Sequence, residues 1–204
     1  RGAGARNVVG FDRAALREPA ARWFYRHTAP VGEGRHVIKK NLALVSHVLD
    51  QPETALEFPL QDVDAAALAS VRARGIERFA LINPGAAWPN KRWPAERFGA
   101  VAALLASAHG LTPLVLWGPS ERELAERVVA ASGGQAVVAP ETRLADLVSL
   151  SRAASLIVSG DTGPLHVACA VGTPSVSVFG PTDASRNGPW DARDRVLTRY
   201  AACA

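Results

Sequence analysis

From Arg78 onward the chain alternates between short, almost wholly apolar runs and longer amphipathic stretches. That rhythm belongs to strands buried on both faces and joined by helices. The apolar runs predict strands at Phe79 to Asn83, Thr112 to Trp117, Ala136 to Ala139, Leu156 to Ser159 and Ser175 to Phe179. The intervening helices carry recognisable ends. Pro94 sits in the first turn of one that stops at Gly110, and Ser120 followed by Glu123 offers a capping box for the second. A third is expected from Thr142 to Ala154 and a fourth from Thr162 to Val171, closed by Gly172. The predicted fold class is α/β, with a Rossmann-like doubly wound parallel sheet over residues 78–204.

Before Arg78 the pattern is sparser. It offers one short strand, Asn7 to Phe11, and helical stretches at Arg17 to His27 and Arg35 to Leu49. Gln51 to Leu60, with Pro52 and Pro59, reads as a connection ahead of a short helix from Asp62 to Arg74. Residues 1–60 are therefore expected to be a remnant of another domain, 61–77 a linker helix and 78–204 the Rossmann-like domain. The sequence shows no internal repeat or low-complexity tract.

Composition narrows the class. With 204 residues, 48% of them hydrophobic, the chain can bury a sizeable core. No apolar run approaches the ~18 residues of a spanning helix, and no signal-peptide layout opens the chain, so a cytoplasmic location is expected. The two cysteines, Cys169 and Cys203, match no metal-ligand spacing, and Cys169 reads as core. The net charge of +4 is uneven, with nine Lys or Arg against four Asp or Glu in residues 1–50. Such an excess suits an anionic membrane surface, a phosphorylated substrate or plain solvation. Aromatic residues for base stacking are sparse beyond Trp23, Phe24 and Tyr25, which argues against nucleic acid.

Candidate chemistry gathers where strands run into helices, the place where open α/β sheets bind ligands. The loop from Asn83 to Pro94 is rich in Gly, Pro and Trp. Gly85, Ala86 and Ala87 let backbone N–H groups approach a phosphate, and Lys91 can add a point charge. Taken alone, Lys91 and Arg92 read equally well as solvated cations. After the second strand, Glu121 and Glu123 are either capping residues or carboxylates for ribose hydroxyls. The densest group is Ser159-Gly160-Asp161-Thr162-Gly163-Pro164-Leu165-His166. Asp161 can accept sugar hydroxyls, the N–H groups of Thr162 and Gly163 can face a pyrophosphate, and His166 follows one turn later. An N-cap role for Asp161 and a core role for His166 are the plainer alternatives. Asp62-Val63-Asp64 reads as a cap rather than a metal motif, and Gly2-Ala3-Gly4 has no strand before it.

Asn83-Pro84-Gly85 with Lys91-Arg92-Trp93-Pro94, then Ser159 to His166, then Phe179-Gly180-Pro181-Thr182-Asp183 resemble glycosyltransferase family 9, the ADP-heptose:lipopolysaccharide heptosyltransferases. Order and spacing agree over residues 78–190. Arg17-Glu18-Pro19, Phe24-Tyr25 and His36-Val37 resemble the end of that family's acceptor domain. The resemblance implies a GT-B fold whose donor-binding half is this unit. By the same resemblance Lys91 contacts the donor phosphates and Asp161 holds the heptose, while Thr162, Gly163 and His166 line the pyrophosphate and sugar. It puts a glutamate on the ribose, Glu123 first and Glu121 second, and Thr142 and Leu144 beside the adenine. Some members carry paired threonines where this chain has Ala86-Ala87.

What the resemblance implies for activity is inverting transfer of a heptose from ADP-heptose to the lipopolysaccharide inner core, with no metal or other cofactor. Lys91 and the Thr162-Gly163 helix start would stabilise the departing diphosphate. The partners would be the nucleotide-sugar donor and a phosphorylated lipid A or inner-core acceptor, with peripheral contact at the inner face of the inner membrane. The family's aspartate base lies near the start of the acceptor domain and its last helices follow the donor domain, so an incomplete, inactive chain is expected. Two other readings stay open: another GT-B nucleotide-sugar enzyme or epimerase, and a nucleotide-binding module without catalysis.

Overall fold

The computed structural model describes residues 4–32, 34, 36–61 and 65–203. Gly2, Ala3 and the Asp62-Val63-Asp64 sequence fall outside the described residues. The chain forms two compact units, Arg1–Glu57 with Ser185–Gly188, and Phe58–Ala184 with Pro189–Ala204.

In the first unit β1 (Val9–Phe11) pairs in parallel with β2 (His27–Ala29). A 3-10 turn, Pro19–Phe24, lies between them in sequence, and α1 (Val37–Leu49) follows. Ala15, Ala29, Val31 and Ala43 form a small core against Phe11 and Leu44. The helix expected from Arg17 to His27 is thus a turn and a strand. None of the six residues of the turn is buried, so no apolar stripe exists to hold an α-helix there.

The second unit contains α2 (Ala66–Ala73), β3 (Phe79–Asn83), α3 (Ala95–His109), β4 (Thr112–Val115), α4 (Arg122–Ala131) and β5 (Val137–Val138). It continues with α5 (Leu144–Ala153), β6 (Leu156–Gly160), α6 (Gly163–Ala170) and β7 (Ser175–Phe179). The single turn of α7 (Ala184–Asn187) belongs, but for Ala184, to the first unit, and the second resumes with β8 (Arg195–Thr198) and α8 (Tyr200–Cys203). The six strands are all parallel, in the order β5-β4-β3-β6-β7-β8.

Successive strand residues point to opposite faces, and both faces are covered. Phe79 and Leu81 of β3 join Leu114, Ile157, Leu150, Leu165 and Phe179 in one core layer. Ala80 and Ile82 join Phe98, Ala102, Val115, Val128 and Val158 in the other. This is why β3 reads as an uninterrupted apolar run. Strand β8 was not foreseen, because all four of its residues are exposed and an edge strand lacks that signature. Cys169 belongs to the first of these layers, as expected, and burial followed by the charge of Asp194 pushes its thiol up to about 11.

Helix α2 packs Ala67 and Val71 into the same core, so residues 66–73 are part of this unit. Its N-terminus is satisfied from a distance: the Ala67 N–H donates to Asp146 Oδ1 at 3.0 Å, while Oδ2 accepts from the Arg143 N–H at 2.9 Å. One buried carboxylate thereby caps α2 and α5 together, and those two backbone bonds lower its pKa. Asp146→Ala should cost about 1–3 kcal/mol of stability by leaving buried donors unpaired. Chemical denaturation would register this as a lower midpoint, and an unchanged midpoint would show that the shared cap contributes nothing.

Candidate functional site

Strand order reverses between β3 and β6, so the loops leaving their carboxyl ends part toward opposite faces and leave a crevice. A polar knot forms its floor. Asn83 ends β3 opposite Ser159 of β6, and its amide donates to Ser159 Oγ at 3.0 Å and Thr162 Oγ1 at 2.8 Å. The two hydroxyls lie 3.1 Å apart. Asn83 and Ser159 are buried, where unmet polar groups are costly, so each group's partner is supplied by the other loop.

Above this floor is a cleft of about 470 Å³. Gly85, Ala86, Ala87 and Lys91 line one wall, Gly118 and Glu121 another, and Asp161, Thr162 and Gly163 the third. Its apolar end is made by Leu116, Trp117 and Leu147. Trp117 is fixed by an Nε1–H bond to the Ala139 carbonyl at 2.9 Å, with the Arg122 guanidinium 5.4 Å from its ring centroid.

The proline-rich loop after β3 winds one 3-10 turn, Pro89–Lys91, in which the Lys91 N–H bonds the Trp88 carbonyl at 3.0 Å. That turn delivers Lys91 to the cleft. Its Nζ lies 2.8 Å from Asp161 Oδ2, and His166 Nε2 lies 3.4 Å from Asp161 Oδ1. The Asp161 side chain is only 6% exposed, against 24% for Lys91 and 42% for His166. Burial pushes the Asp161 carboxyl up. Hydrogen bonding with His166 and Lys91, together with the lysine charge, outweighs this and holds it well below the usual carboxylate range. Thr182 Oγ1 contributes as well, although it is buried and forms no well-aligned bond of its own.

Asp161 is therefore not the N-cap of α6. That position falls on Thr162, in extended conformation, and Pro164 in the first turn has no N–H to satisfy. Gly163 faces open space: a Cβ built there meets nothing within 4 Å.

Two of the expected site residues lie off the cleft. Glu121 lines the cleft, whereas Glu123 is exposed in the first turn of α4 and lines no part of it. The cause is local: Ser120 takes a left-handed φ of 66°, so Glu121 is the N-cap position and the expected Ser120 to Glu123 capping box does not form. Glu121 Oε2 instead accepts the Gly118 N–H at 3.2 Å. Leu144, the first residue of α5, is 69% exposed and off the cleft, and Leu147, one turn later, takes that place beside Thr142. The remaining candidates, Gly85, Ala86, Ala87, Lys91, Thr142, Asp161, Thr162 and Gly163, all line the cleft, and His166 reaches it through Asp161.

Sequence reasoning assigned no role to Asn83, Ser159, Trp117 or Thr182. The order of Asn83 and Ser159 at paired strand ends was a usable signal, since buried polar residues closing apolar strands need partners. Among the described residues, no group of three or more His, Cys, Asp or Glu is placed to hold a metal ion. Nor is any described helix long and apolar enough to cross a membrane.

A doubly wound parallel sheet with a cleft of about 470 Å³ at its switch point is the Rossmann-like architecture of a GT-B protein. Residues 1–204 match glycosyltransferase family 9 (heptosyltransferase), and the chain belongs to that family. It is 33% identical over 186 residues to lipopolysaccharide heptosyltransferase 1 of Pseudomonas aeruginosa, covering 90% of this chain and 50% of that protein. The fold is shared with a glycosyl transferase family 9 protein from Veillonella parvula at a TM-score of 0.77 and 23% identity, over 98% of this chain and 58% of the other. E. coli heptosyltransferase WaaC with ADP-2-deoxy-2-fluoro heptose gives a TM-score of 0.69 at 26% identity, over 93% of this chain and 57% of that one. The chain spans about half the length of the curated relatives it matches.

Proposed function

We propose that this unit binds ADP-heptose, and that the protein it represents transfers the heptose to the lipopolysaccharide inner core with inversion. The observation that carries the reading is the Lys91–Asp161–His166 cluster on a cleft that the start of α6 also lines. The diphosphate lies against the N–H groups of α6 and the loop at Gly85, Ala86 and Ala87, with Lys91 reaching it. Asp161, held ionised, accepts hydroxyls of the sugar. Glu121 accepts those of the ribose, and the adenine occupies the apolar end beside Trp117, Thr142 and Leu147.

As the glycosidic bond breaks, charge grows on the departing diphosphate. Lys91 and the start of α6 both line the cleft, so they can stabilise that charge with little reorganisation. Support for the donor comes from the solved relative whose ligand is an ADP-heptose analogue. Support for the acceptor comes from the relatives named lipopolysaccharide heptosyltransferases. A lipid acceptor carries with it peripheral contact at the inner face of the inner membrane and a cytoplasmic location.

Calorimetric titration of the chain with ADP, UDP and GDP tests the donor site. ADP should bind tighter than UDP, because a purine buries more surface at the apolar end. Gly163→Val should keep the parent's circular dichroism, because its Cβ meets no protein atom. It should nonetheless weaken ADP binding about tenfold, by standing where the diphosphate approaches the helix. Binding of none of the three nucleotides, or an unchanged affinity in Gly163→Val, would defeat the reading.

A further inference from the structure

Arg92 joins two walls of the cleft. Its Nε–H donates to the Ala86 carbonyl at 2.9 Å, and its terminal nitrogen lies 3.4 Å from Glu121 Oε1. The Glu121 carboxylate is held on three sides. Oε2 accepts the Gly118 N–H, Oε1 faces Arg92, and the group lies so close over Gly85 that a Cβ there would stand 2.2 Å from Oε2. A carboxylate offers about four lone-pair directions. Two are taken by Gly118 and Arg92, and the others remain for a vicinal diol.

We infer that Arg92, anchored on the Ala86 carbonyl, is a positioning residue for nucleotide recognition that holds Glu121 in place to accept a ribose diol. This rests on the nucleotide site proposed above. The planar guanidinium matters because one fork serves two acceptors from different loops. A lysine at this position keeps the charge, but its single flexible ammonium does not hold both acceptors in one plane. Arg92 touches no ligand in this account and acts through Glu121.

The consequence is a change in selectivity rather than in anion affinity. The probes are ADP, 2′,3′-dideoxy-ADP and inorganic pyrophosphate, titrated against the parent chain, Arg92→Lys and Glu121→Gln. The parent should prefer ADP over the dideoxy analogue by about tenfold or more, the worth of hydrogen bonds to a charged acceptor. In Arg92→Lys that preference should fall to about twofold, as in Glu121→Gln, while pyrophosphate binds within about twofold of the parent. A merely structural role would weaken all three probes together and leave the preference intact, and that result overturns the inference. So does a parent-like preference in Arg92→Lys. If the parent itself binds ADP and the dideoxy analogue equally, the ribose role of Glu121 falls, and the role of Arg92 falls with it.

Discussion

Asp161→Asn is expected to destabilise the chain by about 2–3 kcal/mol near neutral pH, the cost of removing a largely buried charge that pairs with Lys91 and hydrogen-bonds His166. Lys91 then loses its ionic partner at 2.8 Å, and His166 loses the carboxylate 3.4 Å from its Nε2. The effect should depend on pH in one direction. The folded carboxyl titrates below its ordinary value of 3.8, so as acid is added the unfolded chain takes up the proton first. Stability from Asp161 is therefore complete well above 3.8 and drains away as the pH falls below it toward the folded value. Asparagine has no such titration, so the stability gap between parent and variant should close in acid. Urea unfolding from neutral pH down to about pH 3 would show the two curves converging. A gap that stays constant across that range would mean the ion cluster does not stabilise the fold.

Lys91→Ala should weaken ADP binding by about 10- to 100-fold, because hydrogen bonds to a charged phosphate are worth about 1.5–3 kcal/mol. The lysine already holds Asp161 without ligand. Its three donors allow one to stay there while the others turn to phosphate, so ligand binding does not have to break the pair. Because Lys91 is only 24% exposed, the lost affinity should respond less to salt than a surface contact would. Arg22→Ala, which lines no part of the cleft, is the control and should bind ADP like the parent. Calorimetry at two salt concentrations measures both. If Arg22→Ala loses ADP and Lys91→Ala keeps it, the donor site lies elsewhere.

Most of the sheet was legible because β3, β4, β6 and β7 are covered on both faces, and their apolar runs announce it. Strands β2 and β8 were not. One has three residues and the other is exposed throughout, so neither carries a burial signature. The site was legible at Lys91 and Asp161, where the Gly- and Pro-rich loops stand out. That Glu121 rather than Glu123 lines the cleft was not. It turns on the left-handed backbone at Ser120, a conformation that a serine in sequence does not advertise. Arg92 passed as a solvated loop cation for a similar reason: its carboxylate partner is 29 positions away, and only the folded sheet brings them together.

The cleft is assembled across long stretches of chain. Lys91 and Asp161 are 70 positions apart, and the Asn83 amide that floors the crevice reaches a hydroxyl 79 positions on. No local segment can hold this site by itself, so it comes into being only when the two halves of the sheet have docked along β3 and β6. A ligand that recognises it binds the docked sheet and nothing less, and through mass action it draws the folding equilibrium of the whole unit toward completion. Newly made chains in the presence of such a ligand would therefore spend less time with the β3 and β6 edges open to mispairing with other copies.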